Sequence, residues 1–573
     1  MYVLGLNHAY HESAACLIHD GRVLAAAEEE RFTRVKHAKP ALVSNPHELP
    51  VHAIAYCLDR AGITLAQVDH IGSSIDPAKR LRNKDFPDRI VAGDWGSDIG
   101  ETVFHDNLRQ VPAQLREMSF GGEFHWLSHH LCHGASAYYP SPFADAAVLA
   151  VDGIGETAST LLACGQGIRL SPIDEISYPA SIGFLWEKLA QFLGFSEYDA
   201  SKVMGLAAYG DPEPYRDHFR QILTLLPNGR FAIDNDLLRF RIADYSSLTK
   251  LFGIGPRTPH SEMTSTYADI TAALQAATDD TMVHLATHAA RHLGTRNLCL
   301  AGGVALNCVA NAHIAATGLF DNLYIQPAAH DGGTALGAAL LIWHDILGRA
   351  ERDRMRHAQL GPEYDDTDIE AALRDSCLHY RRVQDITTEV ARLLADQKIV
   401  GWFQGRMEFG PRALGNRSLL ADPRQPGMRE RLNRIVKKRE DFRPFAPSVL
   451  AEEAANWFDI PLPCQASDFM LIGYRALTPE KIPAVVHVDG TSRIQTVHHD
   501  HNPRYHRLIS EFHRITGIPL VLNTSYNDRE PIVCTPTDAI TTLRRTGIDY
   551  LAIGNFLAQP TPTHLNTPPT HDQ

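Results

Sequence analysis

The 573-residue sequence has no Cys-x-x-Cys pair, and its nine cysteines are odd in number and scattered. That excludes a disulfide framework or a zinc-finger site and reads as reduced thiols in a cytoplasmic protein. No stretch approaches about 20 uninterrupted apolar residues, so no membrane span is expected. The opening MYVLGLNHAY has no basic lead-in, and its apolar run is too short for a secretory signal. Positive charge is also in deficit. The formal net charge is −13, which argues against a nucleic-acid partner except through a local basic patch. What remains is 44% hydrophobic and 21% charged residues, the balance of an ordinary globular protein. The chain is too long for one core, so at least two large domains are expected.

Histidine, by contrast, is concentrated. FHWLSHHLCH places His125, His129, His130 and His133 within nine residues, and an apolar strand AAVLAVD follows, ending at Asp152. If the chain is helical from Ser128, His129 and His133 lie one turn apart on one face, a spacing suited to sharing a metal. Asp152 falls at the carboxyl end of its strand, where open α/β sheets present their chemistry. The alternative is a helix start that carries polar histidines by chance, since the chain has 30.

Residues 2–30 read as three strands, YVLGLN, AACLIHD and RVLAAAEEE, separated by the polar turn HAYHES and by Gly21. AAVLAVDGIGETASTLLACGQGIRLSPIDEIS repeats the plan, with Asn7 matched by Asp152. Such a duplication predicts two similar halves facing a cleft, the architecture of actin-like and sugar-kinase-like ATPases. The charged run Glu28–Pro40 reads as a solvated helix start, or as a loop bringing Arg34, Lys36 and His37 over a ligand. SIGFLWEKLAQFLGF predicts a core helix, SKVMGLAAYGDPEPY a glycine-broken loop, and residues 264–293 one long amphipathic helix or a pair. Two later units, NLCLAGGVALN and NLYIQPAAHDGG, each run from a strand through a glycine pair into a helix. Gly302, Gly303 and Asn307, then Gly332 and Gly333, are candidate nucleotide-binding positions, because glycine lets the backbone approach an anion at a helix start. Asp331 is a candidate fourth metal ligand.

Residues 350–375 read as a linker. Beyond it Arg406, Arg412, Arg417, Arg424, Lys437, Lys438, Arg439 and Arg443 lie among glycines and prolines. That setting favours an anion pocket of guanidinium groups over a solvated helix face. Arg493, Asn523 and Ser525 are further polar groups at strand ends.

Taken together, VLGLNHAYHESAA, AAAEEERFTRVKH, HHLCHGASAYYPSPF, VDGIGE, HDGGTALGAAL, RMEFGPRALGNRS, KKREDFRPFAPS, DGTSRIQTV and LNTSYND resemble the NodU/CmcH-type O-carbamoyltransferases, in the same order along the chain. The resemblance implies an α/β protein in which a duplicated ribonuclease H-like/actin-like ATPase domain, similar to threonylcarbamoyl transferases, covers residues 1–350. A linker over 351–378, an α+β YrdC-like domain over 379–560 and a disordered tail over 561–573 would follow. It further implies that ATP, carried with Mg2+, and carbamoyl phosphate form carbamoyl-adenylate in the second domain. The first domain then passes the carbamoyl group to a hydroxyl of a small natural-product or sugar acceptor.

By the same resemblance Fe(II), or another divalent metal, is held by His129, His133, Asp152 and Asp331. The substrate contacts fall on Arg412, Lys437, Arg443, Arg493, Asn523 and Ser525, and the transfer-site residues on His11 and Lys36. A homodimer is usual for the fold type. Competing readings are a tRNA threonylcarbamoyl-type transferase and a non-catalytic nucleotide-binding protein of the same fold. The acceptor is not legible.

Overall fold

The alternating pattern after Met1 becomes β1 (Tyr2–Asn7), β2 (Ala14–His19) and β3 (Arg22–Glu28), an antiparallel meander in which Asn7 pairs with Ala14. β4 (His70–Ser73) and β5 (Glu123–Trp126) join parallel to β1 and to each other, giving the order β3-β2-β1-β4-β5. The second copy follows. β6 (Asp145–Val151), β7 (Ala158–Gln166) and β8 (Arg169–Ser177) form the antiparallel meander. After a hairpin of β9 (Leu223–Leu226) and β10 (Arg230–Ile233), β11 (Asn297–Ala301) and β12 (Asn322–Ile325) add in parallel. The order β12-β11-β6-β7-β8 is that of the first sheet. The parallel strands β11 and β12 are apolar and buried after their first residue, as strands covered by helices are.

In this computed structural model the described residues are 1–82, 91–462 and 465–560, so the tail expected over 561–573 lies outside them. The chain divides into two units. The first comprises Met1–Arg356 together with Phe409–Pro411 and Ile460–Tyr474, and the second comprises His357–Glu408, Arg412–Asp459 and Arg475–Gln573. Within the first, residues 265–293 form a single helix, Ser265–Leu293. SKVMGLAAYG, expected as a loop, is helical over Ala200–Ala207, since its glycine at 205 is buried against neighbours and does not end the helix. Gly5 on β1 and Gly337 on the helix Thr334–Leu341 admit close packing, because a Cβ on either would stand 1.9 or 1.8 Å from a backbone oxygen.

The second unit is built on a mixed eight-stranded sheet. Its strands run, edge to edge, His379–Arg382, Phe556–Gln559, Tyr550–Ile553, Val400–Phe403, Arg417–Ala421, Leu520–Ser525, Ala446–Leu450 and Gln495–Val497. The stretch read as linker contains the helix Asp366–Asp375, whose N-cap Asp365 accepts from the amides of Thr367 and Asp368. Among the described residues no helix is long and apolar enough to cross a membrane.

Candidate functional site

The helix His129–Tyr138 begins where the chain leaves β5. Its Ser128 cap gives no side-chain hydrogen bond, and the first-turn amide of His129 instead donates to Glu156 Oε1 at 3.0 Å. A buried carboxylate at a helix start is favoured by the exposed amides there. Glu156 is 3% exposed and also accepts from Asp76 N–H. It fixes the angle at which the histidines enter. The VDGIGE motif contains it, but nothing in the spacing marks it as a support.

Four side chains converge on one point. His129 Nε2 and His133 Nε2 each lie 3.5 Å from Asp152 Oδ2 and 3.5 Å from Asp331 Oδ1. The four residues are 0 to 8% exposed, and neither Nε2 has a hydrogen-bond partner. Supports surround them. His129 Nδ1 contacts Ser74 O at 3.1 Å, and Gly303 N–H donates to Asp152 Oδ1 at 2.8 Å. Burial alone would lower His129, yet Asp331 and Asp152 raise it well above the ordinary imidazole value. Asp152 is held well below the carboxylate range, because both imidazoles outweigh its burial. Two orphaned imidazole nitrogens beside two carboxylates, sealed from water, suit one divalent first-row cation.

Glu187 was not legible beforehand. It lies on the helix Ile182–Phe192, whose Gly183 sits so close that a Cβ would stand 2.6 Å from Gly153 N. Burial, then the Asp152 charge, push Glu187 up to about 8. It is a carboxyl able to keep a proton near neutral pH.

The expected glycines take up largely structural roles. Gly302 has φ +85°, and a Cβ there would stand 2.2 Å from Val151 O. Gly332 N–H donates to His330 Nδ1 at 2.9 Å, and Gly333 N–H donates to His330 O. These amides, like that of Gly303, are already used within the protein. Asn307, expected among the nucleotide-binding positions, caps a helix. Its Oδ1 accepts from the amides of Val309 and Ala310, and its Nδ2 donates to Gln275 Oε1.

His11 is half-buried, edge-on to the Tyr198 ring at 5.5 Å, with Nδ1 buried and unpartnered. Lys36 is exposed. The residue its loop turns inward is His37, whose Nδ1 is 2.6 Å from Glu12 Oε1 and whose ring stacks on Tyr198 at 4.4 Å. Glu12, Arg34, His37 and Ala38 all have φ between 55° and 65°, strain that persists only where surroundings impose it.

In the second unit, Lys437 Nζ donates to Ser525 O, Ser525 Oγ, Asn527 O and Asn527 Oδ1, so Lys437 and Ser525 meet. Asn523 donates to Ala413 O, Ser448 Oγ and Gln495 Oε1 and keeps a buried Oδ1 without a partner. Arg439 is driven well below its ordinary value by burial and by the charges of Arg443 and Arg493. Three guanidinium groups thus crowd one region with Glu440 as the opposing charge, which favours a bound anion. Arg412 is half-buried. Arg417 is not part of an anion pocket. It is fully buried, donates to the carbonyls of Gln404, Gly405, Asn416 and Pro362, and lies 3.7 Å over the Phe403 ring. Arg424 pairs with Asp422.

Comparison with known proteins covers most of this length. The family models for the carbamoyltransferase N-terminus and C-terminus match residues 2–340 and 391–559. Nodulation protein NolNO of Sinorhizobium fredii is 39% identical over 96% of this chain and 79% of its own. Nodulation protein U of the same species is 28% identical over 90% and 92%. A solved structure of HypF from T. kodakarensis aligns with 60% of this chain and 48% of its own at 13% identity and a TM-score of 0.33, too slight a likeness to argue from. By the extent of these family matches, the chain belongs to the NodU/CmcH-type carbamoyltransferase family.

Proposed function

We propose that this protein is an ATP-dependent O-carbamoyltransferase that makes carbamoyl-adenylate in its second unit and transfers the carbamoyl group to an acceptor hydroxyl in its first. The observation that carries the reading is the sealed His129/His133/Asp152/Asp331 set in a chain of this family. In atoms, carbamoyl phosphate, water and ATP give carbamoyl-adenylate, phosphate and pyrophosphate. The acceptor oxygen then bonds to the carbamoyl carbon as the bond to the adenylate phosphate breaks.

In the second unit Arg439, Arg443 and Arg493 would neutralise charge spreading over the phosphate oxygens. Preorganised donors of this kind contribute about 3 kcal/mol each. Lys437 holds the turn through Ser525 and Asn527 and sets the direction of that strand end. The orphan Asn523 Oδ1 can accept from the carbamoyl NH2 group.

In the first unit His129, His133, Asp152 and Asp331 would hold a divalent metal, for which the resemblance indicates Fe(II). When bound it supplies Lewis-acid stabilisation to a departing phosphate. His11 and the Glu12–His37 pair flank the Tyr198 ring and can orient the hydroxyl and take its proton. The acceptor is a small hydroxylated molecule.

The test is pyrophosphate release from ATP with and without carbamoyl phosphate, with a panel of hydroxylated acceptors added. Carbamoyl-phosphate-dependent release is expected from the wild type, and a loss of about 10²-fold in Arg443→Ala. No carbamoyl-phosphate-dependent release under any of these conditions would sink the reading.

A further inference from the structure

β4 and β5 pair in parallel at the edge of the first sheet, with His70 opposite Glu123 and Gly72 opposite His125. Residues two apart on a strand share a face. Glu123 and His125 therefore stand together with His70, while Phe124 and Trp126 pack on the apolar cluster of the other face. His70 Nδ1 is 3.1 Å from His125 Nε2. Glu123 Oε2 lies 3.7 Å from His70 Nδ1, and Glu123 Oε1 lies 3.9 Å from His125 Nε2. Both imidazole side chains are nearly buried, at 12% and 11% exposure, and the carboxylate is 67% exposed.

Atoms that share a tetrahedral ion at about 2.0–2.2 Å lie roughly 3.3–3.6 Å from one another. The imidazole–imidazole separation lies just below that range, and each carboxylate oxygen lies just above it from one imidazole. Burial, reinforced by His70 and only partly offset by Glu123, lowers His125, so its lone pair stays available near neutral pH. The N–H···N hydrogen bond that two neutral imidazoles make at 3.1 Å leaves the carboxylate without a role.

The geometry points to a second metal site, in which His70, His125 and Glu123 bind one late first-row divalent cation such as Zn2+, Ni2+ or Cu2+. Imidazole donors select these ions over Mg2+ and Ca2+. Three donors with one wet side leave a coordination position open to water, so this site is weaker than the sealed four-donor set. Its ligands sit on two neighbouring strands, so the ion ties the edge strand β5 to β4. β5 runs on through Leu127 and Ser128 into His129. The cation clamps the strand that delivers a ligand of the buried centre.

The experiment takes the full chain, stripped with a chelator, and titrates it with Zn2+ by calorimetry and with Co2+ by visible absorption. Two equivalents are expected for the wild type. His70→Ala and His125→Ala should each lose the weaker equivalent and keep the tighter one, whereas His129→Ala should keep the weaker. Glu123→Gln, at an exposed position that does not threaten folding, should weaken the second equivalent by about 10-fold. A single equivalent in the wild type overturns the proposal, and so does a second equivalent that survives both histidine changes. If the histidine variants do not fold, as judged by circular dichroism, Glu123→Gln decides, and an unchanged second affinity overturns the site.

Discussion

The two sheets of the first unit repeat one topology and differ most at one matched position. Asn7 ends β1 and Asp152 follows β6, each opposite the strand that starts the next turn of the meander. Asn7 is neutral. Its Nδ2 donates to the carbonyls of His11 and Glu12, and its Oδ1 accepts from Ser74 Oγ. Asp152 is charged, accepts from Gly303 N–H at the position matching Ser74, and turns its other oxygen to two imidazoles. The same backbone socket holds a loop in one half and a carboxylate facing two buried imidazoles in the other. The repeated strand order provides the socket twice, and the charge of the residue in it differs between the halves.

The largest expected effect comes from making the second half like the first. Asp152→Asn keeps the acceptor for Gly303 but removes the charge, so the tighter metal equivalent is lost by elemental analysis while the weaker one at β4 and β5 remains. Carbamoyl transfer should fall by about 10³-fold, with pyrophosphate release in the second unit unchanged. Gly302→Ala comes next, since it forces φ +85° on alanine and drives a Cβ into Val151 O. Urea unfolding should register about 3 kcal/mol of destabilisation. The converse exchange, Asn7→Asp, removes two donors and sets a carboxylate against two carbonyls. About 2 kcal/mol of stability should be lost, with no metal equivalent gained.

The smallest effect concerns the Glu12–His37 pair of the first half. Burial would raise Glu12, but His330 and His37 hold it well below the usual range, so its contribution is lost only as pH falls through that depressed value. Burial would lower His37, but Glu12 raises it above its ordinary value, so its contribution is full in mild acid and fades as pH rises through the raised value. Glu12→Gln should therefore cost about 1 kcal/mol near pH 6 and less near pH 9. An equal loss at both pH values would show that the pair is not ionised.

What was legible beforehand was periodic or local. The i, i+4 spacing of His129 and His133 and the repeated strand–turn–strand pattern both survive as geometry, because each depends on contacts within a few residues. What was not legible depends on which way a side chain turns. In RVKH the inward residue is His37, selected by a left-handed backbone that no residue type there announces. Arg417 reads the same as Arg443 in a Gly/Pro-rich stretch. Only the sheet shows that it sits on β-structure with its guanidinium donating to a cluster of backbone carbonyls. Asn307 is a cap because a helix starts after it, and Glu187 matters because a helix well beyond Asp152 in the sequence returns to it.

The first unit draws on two late segments, Phe409–Pro411 and Ile460–Tyr474. Arg31 donates to Gly410 O, and Asn311 donates to Leu471 O, each inside that unit. The polypeptide is thus not two beads on a string. Cutting it after residue 356 would strip the first unit of both strips and leave the Arg31 guanidinium and the Asn311 amide each short of an acceptor. Exchange of the C-terminal half between relatives, in the laboratory or in evolution, would have to keep those two strips native. The two units are interleaved along the sequence, and a simple fusion of two parts would break the first.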